Sequence, residues 1–277
     1  MDLCKVRITF FVALTTSVGY LLFNGFNTGL FLPTLGVFLL ACGSSALNHY
    51  QEKTTDALME RTKNRPIPSG RIKEESVVIV SLLLIISGSL IIYFSANLTS
   101  LLIGWITLSW YNIIYTPMKK INALAVIPGS LIGALPPVIG WVAAGGNWYD
   151  VQILAVALFF FIWQIPHFWL LLLIFGKDYE RAGFPTLTQK FANKQLSRIT
   201  FVWIAALSVS CLLIPFFGIS KNIISIILLL LSSILLLWKT KNILVDYIEK
   251  IVFRKAFLNI NLYVLIVIMI ISIDKLL

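Results

Sequence analysis

Residues 76–94 read SVVIVSLLLIISGSLIIYF, a run of 19 residues without a charged side chain. A helix of about 20 apolar residues crosses the roughly 30 Å hydrocarbon layer of a membrane, so this run predicts a transmembrane helix. The run is continuous in Leu, Ile and Val and lacks the alternation of an outer-membrane barrel strand. The predicted fold class is therefore an all-α, polytopic membrane protein. It has nine predicted spans, at about residues 8–25, 28–47, 76–94, 97–115, 122–144, 151–175, 199–217, 221–238 and 257–273.

The composition of the whole chain indicates the same setting. Hydrophobic residues make up 58% and charged residues 12% of the sequence, and the mean hydropathy is +0.91, values far from those of soluble domains. The scattered cysteines form neither a disulfide framework nor a metal-binding pair; they are Cys4, Cys42 and Cys211. No linker interrupts the chain, so we predict a single transmembrane domain over residues 1–277. Its longest polar intervals lie at about 49–75 and 176–198.

The cations follow the positive-inside rule. Of the 22 Lys and Arg residues, all but Lys221 and Lys275 precede the first span or follow the second, fourth, sixth or eighth. This predicts a multi-pass cell-membrane protein, of the bacterial inner-membrane type, whose N-terminus and two polar intervals are cytoplasmic and whose C-terminus is outside. The net charge of +10 is then a consequence of topology and gives no support to nucleic-acid binding.

The first polar interval carries three oxygen-bearing side chains at helical spacing. If the helix of the second span continues outward, Asn48, Glu52 and Asp56 form one ridge about 12 Å long. Such ligands suit Mg²⁺, which proteins hold with one or two carboxylates while substrate phosphates and waters complete its shell. Cations for charge-assisted hydrogen bonds to those phosphates follow closely; they are Arg61, Lys63 and Arg65. The alternative is a solvated interfacial loop whose charges reflect topology alone.

The second polar interval begins with FGKDYERAGFPTL over residues 175–187 and lies on the same predicted side of the membrane. A diphosphate that carries several metal ions needs ligands from both intervals, because one helix cannot surround it. Asp178 is the stronger candidate ligand and Glu180 the weaker. A surface cluster of ion pairs would account for these residues equally well.

Five motifs, in order along nearly the whole chain, resemble those of the UbiA-type membrane prenyltransferases. The resemblance is closest to the protoheme IX farnesyltransferase branch, through a string of basic residues that is more specific than the carboxylates. The motifs are N-x-x-x-D-x-x-x-D continued by M-x-R-T-x-x-R-P (residues 48–66), Y-T-x-x-K-R (115–120), P-G followed by G-A-x-P-P-x-I-G-W (128–141), W-Q-x-P-H-F (163–168) and D-Y-x-x-A-G-x-P (178–185).

The resemblance implies a fold of nine helices around a central cavity and a farnesyl transfer from farnesyl diphosphate to a vinyl group of haem b. Water adds in the same reaction, and the product is haem O, the precursor for haem-copper oxidases. The implied partners are haem b, farnesyl diphosphate, the lipid bilayer, and haem A synthase or oxidase assembly proteins. The implied cofactor is Mg²⁺, with haem b as a substrate.

The resemblance also implies roles for individual residues. Mg²⁺ would be held by Asn48, Glu52 and Asp56, with Asp178 as a further ligand. Arg61, Arg65 and Lys119 would neutralise the charge that develops on the leaving diphosphate, and Lys63 and Lys120 would be further diphosphate contacts.

The chain departs from the family pattern in three places. Glu52 replaces the more usual Asp, which lengthens that ligand arm by one methylene. The second acidic motif has fewer carboxylates than the D-x-x-x-D of many members. Residues 120–123, KINA, stand where many members of the branch have T-P-x-N shortly after the basic pair.

His167 is one of two histidines, and it falls inside a predicted span. Ionisable groups within a membrane mark functional sites by default, so we expect His167 to contact haem, either through the iron or through a propionate. The alternative is a neutral histidine that is hydrogen-bonded to a neighbouring helix. His49 lies about 100° away from the predicted ridge and is interpreted as structural.

Two other functions fit parts of the pattern. A prenyltransferase acting on an aromatic quinone precursor would share the metal motif, but the R-T-x-x-R-P and P-H-F strings weigh against it. A transporter or a non-catalytic assembly protein would use the acidic ridge for ion coupling or docking. Carrier sites lie near the middle of the membrane at broken helices, whereas these carboxylates follow the end of a span.

Overall fold

The computed structural model describes residues 2–245 and 250–277, and every regular element in those ranges is a helix. The α-helices are α1 Val6–Asn24, α2 Phe31–Gln51, α3 Lys53–Leu58, α4 Glu74–Ser95, α5 Leu98–Ser109, α6 Thr116–Met118, α7 Val126–Gly129, α8 Leu131–Ala143, α9 Val151–Arg181, α10 Asn193–Phe216, α11 Ile223–Thr240 and α12 Lys250–Leu276. A π-helical segment, Trp110–Tyr115, joins α5 to α6. Turns of 3₁₀-helix lie at Thr28–Leu30, Leu187–Gln189 and Lys241–Leu244.

Within the described residues, nine helical stretches are long and apolar enough to cross a membrane. They confirm the predicted all-α membrane fold, with shifts at the ends. The sixth runs to Arg181 instead of residue 175. The backbone leaves the helical region at Phe175 (φ −119°, ψ 15°), near the predicted end, but then returns to it, so the helix continues to Arg181. The ninth begins at Lys250, ahead of its predicted start at residue 257, since long basic side chains can extend from an apolar helix to the membrane surface.

The described chain divides into two compact units, and the first comprises residues 2–148 and 177–185. In this unit α1 packs against α8, and α2 packs against α4. A Cβ atom on Gly140 would lie 1.8 Å from the carbonyl oxygen of Thr16, so α1 and α8 approach this closely only because residue 140 is glycine. Small residues at the crossing are the usual means by which membrane helices pack.

The second unit comprises residues 149–176 and 186–277. Here α11 packs against both α10 and α12, and buried polar side chains join the helices. Ser233 Oγ lies 2.8 Å from Tyr263 Oη, and the Ser225 hydroxyl donates a hydrogen bond of 2.6 Å to Asp274. From α9, the Phe159 ring lies 6.1 Å from that of Tyr263, centroid to centroid. The single domain over residues 1–277 stays a prediction, as does the central cavity.

Candidate active site

The first polar interval does not continue as one straight helix out of the second span. Helix α2 ends at Gln51, Glu52 takes a non-helical conformation (φ −109°, ψ 6°), and α3 begins at Lys53. The backbone nevertheless keeps the i to i−4 hydrogen bonds from Glu52 to Asn48 (3.0 Å) and from Asp56 to Glu52 (2.7 Å). The predicted continuous helix is therefore wrong at one residue, but the spacing of the three oxygen-bearing side chains survives.

Asn48 is fully buried at the end of α2, and both ends of its side-chain amide have partners. Its Nδ2 donates a 3.0 Å hydrogen bond to Thr116 Oγ1. Its Oδ1 accepts a 2.7 Å hydrogen bond from Lys5 Nζ. Since Nδ2 faces Thr116, the oxygen is presented to a cation, as a metal ligand requires.

Thr116 is itself held by the π-helical segment. Its hydroxyl donates a 2.9 Å hydrogen bond to the Tyr111 carbonyl, so it accepts from Asn48. Earlier in the same segment, the buried Asn112 bonds to the Ser44 side chain (2.5 Å) and to Gln51 Oε1 (3.1 Å) on α2. Single-turn π segments often occur at functional sites, and here the segment positions side chains against the end of α2.

Glu52 forms an ion pair with Lys119, and its side chain is nearly buried. Burial by itself raises the pKa of Glu52. The charge and hydrogen bond of Lys119, together with the charges of Lys5 and Arg65, lower the pKa by more than burial raises it, so the pKa of Glu52 lies below its ordinary value. Lys119 Nζ also lies 5.4 Å from the centre of the Tyr115 ring. Glu52 is thus held as a carboxylate.

Asp56, with a fully buried side chain, is paired with Arg65. Arg65 Nη1 lies 2.7 and 2.6 Å from the two carboxylate oxygens. Thr62 donates a 2.9 Å hydrogen bond to the Asp56 carbonyl and so holds the turn between the two residues. The string from Met59 to Pro66 therefore folds its second arginine back onto the last carboxylate of the motif.

Lys5 was not among the predicted site residues. It is the one non-glycine residue with a positive φ (45°) in the described chain, and such strained conformations persist where surrounding contacts enforce them. Burial, followed by the charge of Arg65, lowers the pKa of Lys5 to about 7. The sequence signal was one of two cations before the first predicted span, Lys5 and Arg7, which topology alone explained.

The second acidic segment, residues 177–185, belongs to the same unit and ends α9 in a Schellman motif. Gly183 has φ 78°, its N–H bonds to the Glu180 carbonyl (3.0 Å), and the Phe184 N–H bonds to the Tyr179 carbonyl (3.0 Å). The rings of Tyr179 and Phe184 pack 5.9 Å apart. The positive φ and these bonds explain the glycine of the A-G-x-P pattern that follows Asp178.

Asp178 and Tyr179 both contact Arg61. Asp178 Oδ2 accepts a hydrogen bond of 3.3 Å from the Arg61 backbone N–H. The Arg61 guanidinium donates a 3.3 Å hydrogen bond to the Tyr179 hydroxyl. Met59, Ala182 and Phe184 form a buried apolar cluster beside these contacts. The structure thus joins the two predicted acidic segments through Arg61.

Several predicted residues lie at the edge of this arrangement. Lys63 is exposed and pairs with Glu60 at 2.5 Å. Lys120 is exposed and donates a 3.2 Å hydrogen bond to the Gln51 carbonyl at the end of α2. Glu180 is exposed. His49 is buried, and neither of its ring nitrogens has a hydrogen-bond partner among the described residues.

His167 lies in the second unit, on α9. Its Nδ1 is 2.9 Å from Asn261 Oδ1 on α12. The rings of Trp163, Phe168 and Phe257 surround the imidazole, with centroids 5.0, 5.3 and 4.7 Å from its own. Asn261 was not predicted, because nothing in the local pattern relates it to a residue 94 positions earlier.

The donor set of the first unit fits a hard divalent cation. Asn48 Oδ1 and the carboxylates of Glu52 and Asp56 are buried oxygens, and each already contacts a basic side chain. The described residues contain no group of three or more His, Cys, Asp or Glu that could hold a metal. A bound metal would thus combine these three side chains with oxygens from substrate and water, which is how Mg²⁺ is usually held.

Two curated proteins similar to this chain have the same function name. The chain is 41% identical, over 68% of its length and 70% of the relative's, to a protoheme IX farnesyltransferase of Geobacter sulfurreducens. It is 36% identical, over 78% of its length and 77% of the relative's, to one of Oleidesulfovibrio alaskensis.

Solved structures show the same fold at low identity. A digeranylgeranylglyceryl phosphate synthase structure covers 99% of this chain and 96% of its own, with a TM-score of 0.80 and 18% identity. A UbiA homologue from Archaeoglobus fulgidus, bound to GPP and Mg²⁺, covers 98% of this chain and 99% of its own, with a TM-score of 0.67 and 12% identity. The UbiA prenyltransferase family matches residues 10–261. Because this match spans most of the chain and the curated relatives cover more than two thirds of it, the chain belongs to the UbiA prenyltransferase family.

Proposed function

We propose that this protein transfers the farnesyl group of farnesyl diphosphate to a vinyl group of haem b, with addition of water, to form haem O. The observation that carries the proposal is the buried cluster in which Asn48, Glu52 and Asp56 each contact a different basic side chain. Such a cluster provides oxygen donors for metal and cations for diphosphate within one unit of the fold. Relatives with the name protoheme IX farnesyltransferase support haem as the acceptor.

Asn48, Glu52 and Asp56 would hold Mg²⁺, with Asp178 as a further candidate ligand. When bound, the ion supplies Lewis-acid stabilisation of the diphosphate oxygens. Lys119 and Arg65 contact the carboxylates of Glu52 and Asp56, so both cations lie beside the residues that would hold the metal and would reach a diphosphate bound there. Arg61, beside Asp178, adds a third cation, and the exposed Lys63 and Lys120 contribute at longer range.

The reaction begins when the allylic C–O bond breaks and the diphosphate leaves with the electron pair. Arg61, Arg65 and Lys119 stabilise the charge that develops on the diphosphate. The π electrons of the haem vinyl group then form a C–C bond to the farnesyl cation. Water adds to the resulting porphyrin-stabilised cation and loses a proton, which leaves a hydroxyethylfarnesyl substituent. Early access of water would quench the farnesyl cation, which favours a reaction inside a membrane protein.

The proposal extends to location and partners. The distribution of cations supports a bacterial inner-membrane protein with a cytoplasmic N-terminus, cytoplasmic polar intervals and an external C-terminus. An enzyme that makes haem O passes an apolar product on, so haem A synthase or an oxidase assembly protein would be its partner.

The test is to incubate the purified protein with haem b, farnesyl diphosphate and Mg²⁺, with and without EDTA, and to measure the haem mass by mass spectrometry. We expect metal-dependent conversion to haem O, and its loss in Asp56→Asn. Asp274→Asn is the matched control, because Asp274 lies in the other unit, against Ser225 and Lys221. If folded protein leaves haem unchanged but prenylates an aromatic quinone precursor, the haem assignment is wrong.

A further inference from the structure

A chain of hydrogen bonds in the second unit determines which nitrogen of His167 carries the proton. Asn261 Nδ2 lies 2.6 Å from the Phe257 carbonyl oxygen, which can only accept, so the NH₂ end of the Asn261 amide faces that oxygen. Asn261 Oδ1 therefore faces the other way and lies 2.9 Å from His167 Nδ1. Because an amide oxygen cannot donate, Nδ1 must carry the proton. In a neutral imidazole, the lone pair is then on Nε2.

The surroundings of the imidazole suit a flat apolar ligand with a metal at its centre. His167 is partly exposed, and the hydrogen bond to Asn261 is the only one that its imidazole makes among the described residues. The rings of Trp163, Phe168 and Phe257 lie around it. A histidine that donates one ring N–H to a carbonyl oxygen and leaves the other nitrogen available is the usual arrangement of a metal-bound imidazole.

We propose that His167 Nε2 is an axial ligand of the haem iron and that Asn261 is a positioning residue that holds the imidazole in the ligating tautomer. This inference rests on the proposed function, since it takes haem b as the acceptor substrate. It also decides between the two expected contacts. A propionate needs an N–H donor, whereas the proton of His167 is on the nitrogen that faces Asn261. Iron ligation would fix the centre of the porphyrin during attack by its vinyl group.

The chain contains two histidines, so the iron ligand can be assigned by removal of one at a time. The protein, purified with an affinity tag that lacks histidine, is loaded with haem b in nanodiscs, without farnesyl diphosphate or metal. The ferrous complex is examined by resonance Raman for the iron–imidazole stretch. We expect the stretch in the unchanged protein and in His49→Ala, its loss in His167→Ala, and its return when imidazole is added to His167→Ala. Persistence of the stretch in His167→Ala would overturn the proposal.

The role of Asn261 has its own readout. Asn261→Leu removes the acceptor of the Nδ1–H bond, and we expect haem affinity to fall by roughly tenfold or more, as for other partners of metal-bound histidines. In Asn261→Asp, a stronger acceptor gives the imidazole more anionic character, so the iron–imidazole stretch should move to higher frequency and affinity should recover. Asn259→Leu is the matched control, because residue 259 lies about 200° around the same helix. Equal haem affinities and spectra for Asn261→Leu and Asn259→Leu would show that Asn261 has no positioning role.

The same preparations are assayed for haem O, which separates this inference from the proposed function. Haem O formation by a protein whose iron–imidazole stretch survives in His167→Ala overturns iron ligation and leaves the function standing. A His167-dependent stretch in a protein that makes no haem O overturns the function and leaves iron ligation standing.

Discussion

Three cations contact the three oxygen-bearing residues of the first motif, and two of them, Lys5 and Lys119, come from distant parts of the chain. Lys5 contacts Asn48, 43 residues away, Lys119 contacts Glu52, and Arg65 contacts Asp56. The last two contacts are ion pairs with a buried carboxylate, and removal of one partner of such a pair costs about 3–5 kcal/mol because the other charge is left uncompensated. These cations therefore stabilise the site before they act on any substrate.

Lys5→Met should affect metal and diphosphate in opposite directions. In the unchanged protein, a metal ion must compete with the Lys5 ammonium for Asn48 Oδ1. Lys5→Met removes this competitor, so Mn²⁺ should bind more tightly in the absence of diphosphate. The KM for farnesyl diphosphate should rise by roughly tenfold, the equivalent of one charge-assisted hydrogen bond. Paramagnetic resonance titration with Mn²⁺ and steady-state kinetics measure the two effects. Lys73→Met, at an exposed lysine, is the control, and equal effects of both substitutions would contradict the role of Lys5.

Thr116→Val keeps the shape of the side chain but removes the hydroxyl that orients the Asn48 amide. We expect Mn²⁺ affinity to fall by roughly tenfold and Thr116→Ser to restore it. In an Asn48→Asp background the loss should shrink, since either carboxylate oxygen can face the metal. The control is Thr107→Val, whose hydroxyl bonds only to the Ile103 carbonyl in its own helix (2.8 Å). A loss of affinity in Thr107→Val as large as that in Thr116→Val would count against an orienting role.

At the level of elements, the ends of helices carry the chemistry. Helix α2 ends beside Asn48 and Glu52, the π-helical segment holds Thr116, and α9 ends in the Schellman motif that follows Asp178. Each feature interrupts a regular helix close to a predicted site residue. A regular helix forms all its backbone hydrogen bonds within itself and continues in one direction. Each interruption adds a turn that changes the direction of the chain, and these turns direct polar side chains toward one another.

Gly183→Ala tests the Schellman motif. A Cβ at this position meets nothing within 4 Å, so the substitution introduces only the strain of a left-handed alanine, about 1–2 kcal/mol. We expect the thermal midpoint to fall by several degrees and the KM for farnesyl diphosphate to rise, because the turn after Asp178 loosens. Gly176→Ala is the control, since its Cβ would make an ordinary contact, 3.4 Å from Thr188. An unchanged midpoint in Gly183→Ala would show that the turn does not require glycine.

At the level of the whole molecule, topology can be tested directly. In a variant without the native cysteines, Asn147→Cys and Lys190→Cys place single thiols at exposed positions on opposite predicted sides of the membrane. In intact bacterial cells, a membrane-impermeant maleimide should label residue 147 and reach residue 190 only after permeabilisation. Labelling in the reverse order would invert the orientation inferred from the cations.

The sequence by itself determined the membrane-spanning helices and the residues of the first motif. Both signals are local: a span needs about 20 consecutive apolar residues, and residues four apart share a helix face. The end of α2 at Gln51 could not be predicted, because the i to i−4 spacing of the motif survives the non-helical conformation of Glu52.

Only the tertiary structure decided which partners complete the sites. Thr116 orients Asn48 from 68 residues away, and Asn261 contacts His167 from 94 residues away. From the sequence, Lys5 was explained by the positive-inside rule alone. The packing of the helices places its ammonium against Asn48. Contacts at such separations depend on how helices pack, and no local periodicity encodes them. The residue types of the site were therefore readable from the sequence, whereas the orientation and the cation partner of each came from the fold.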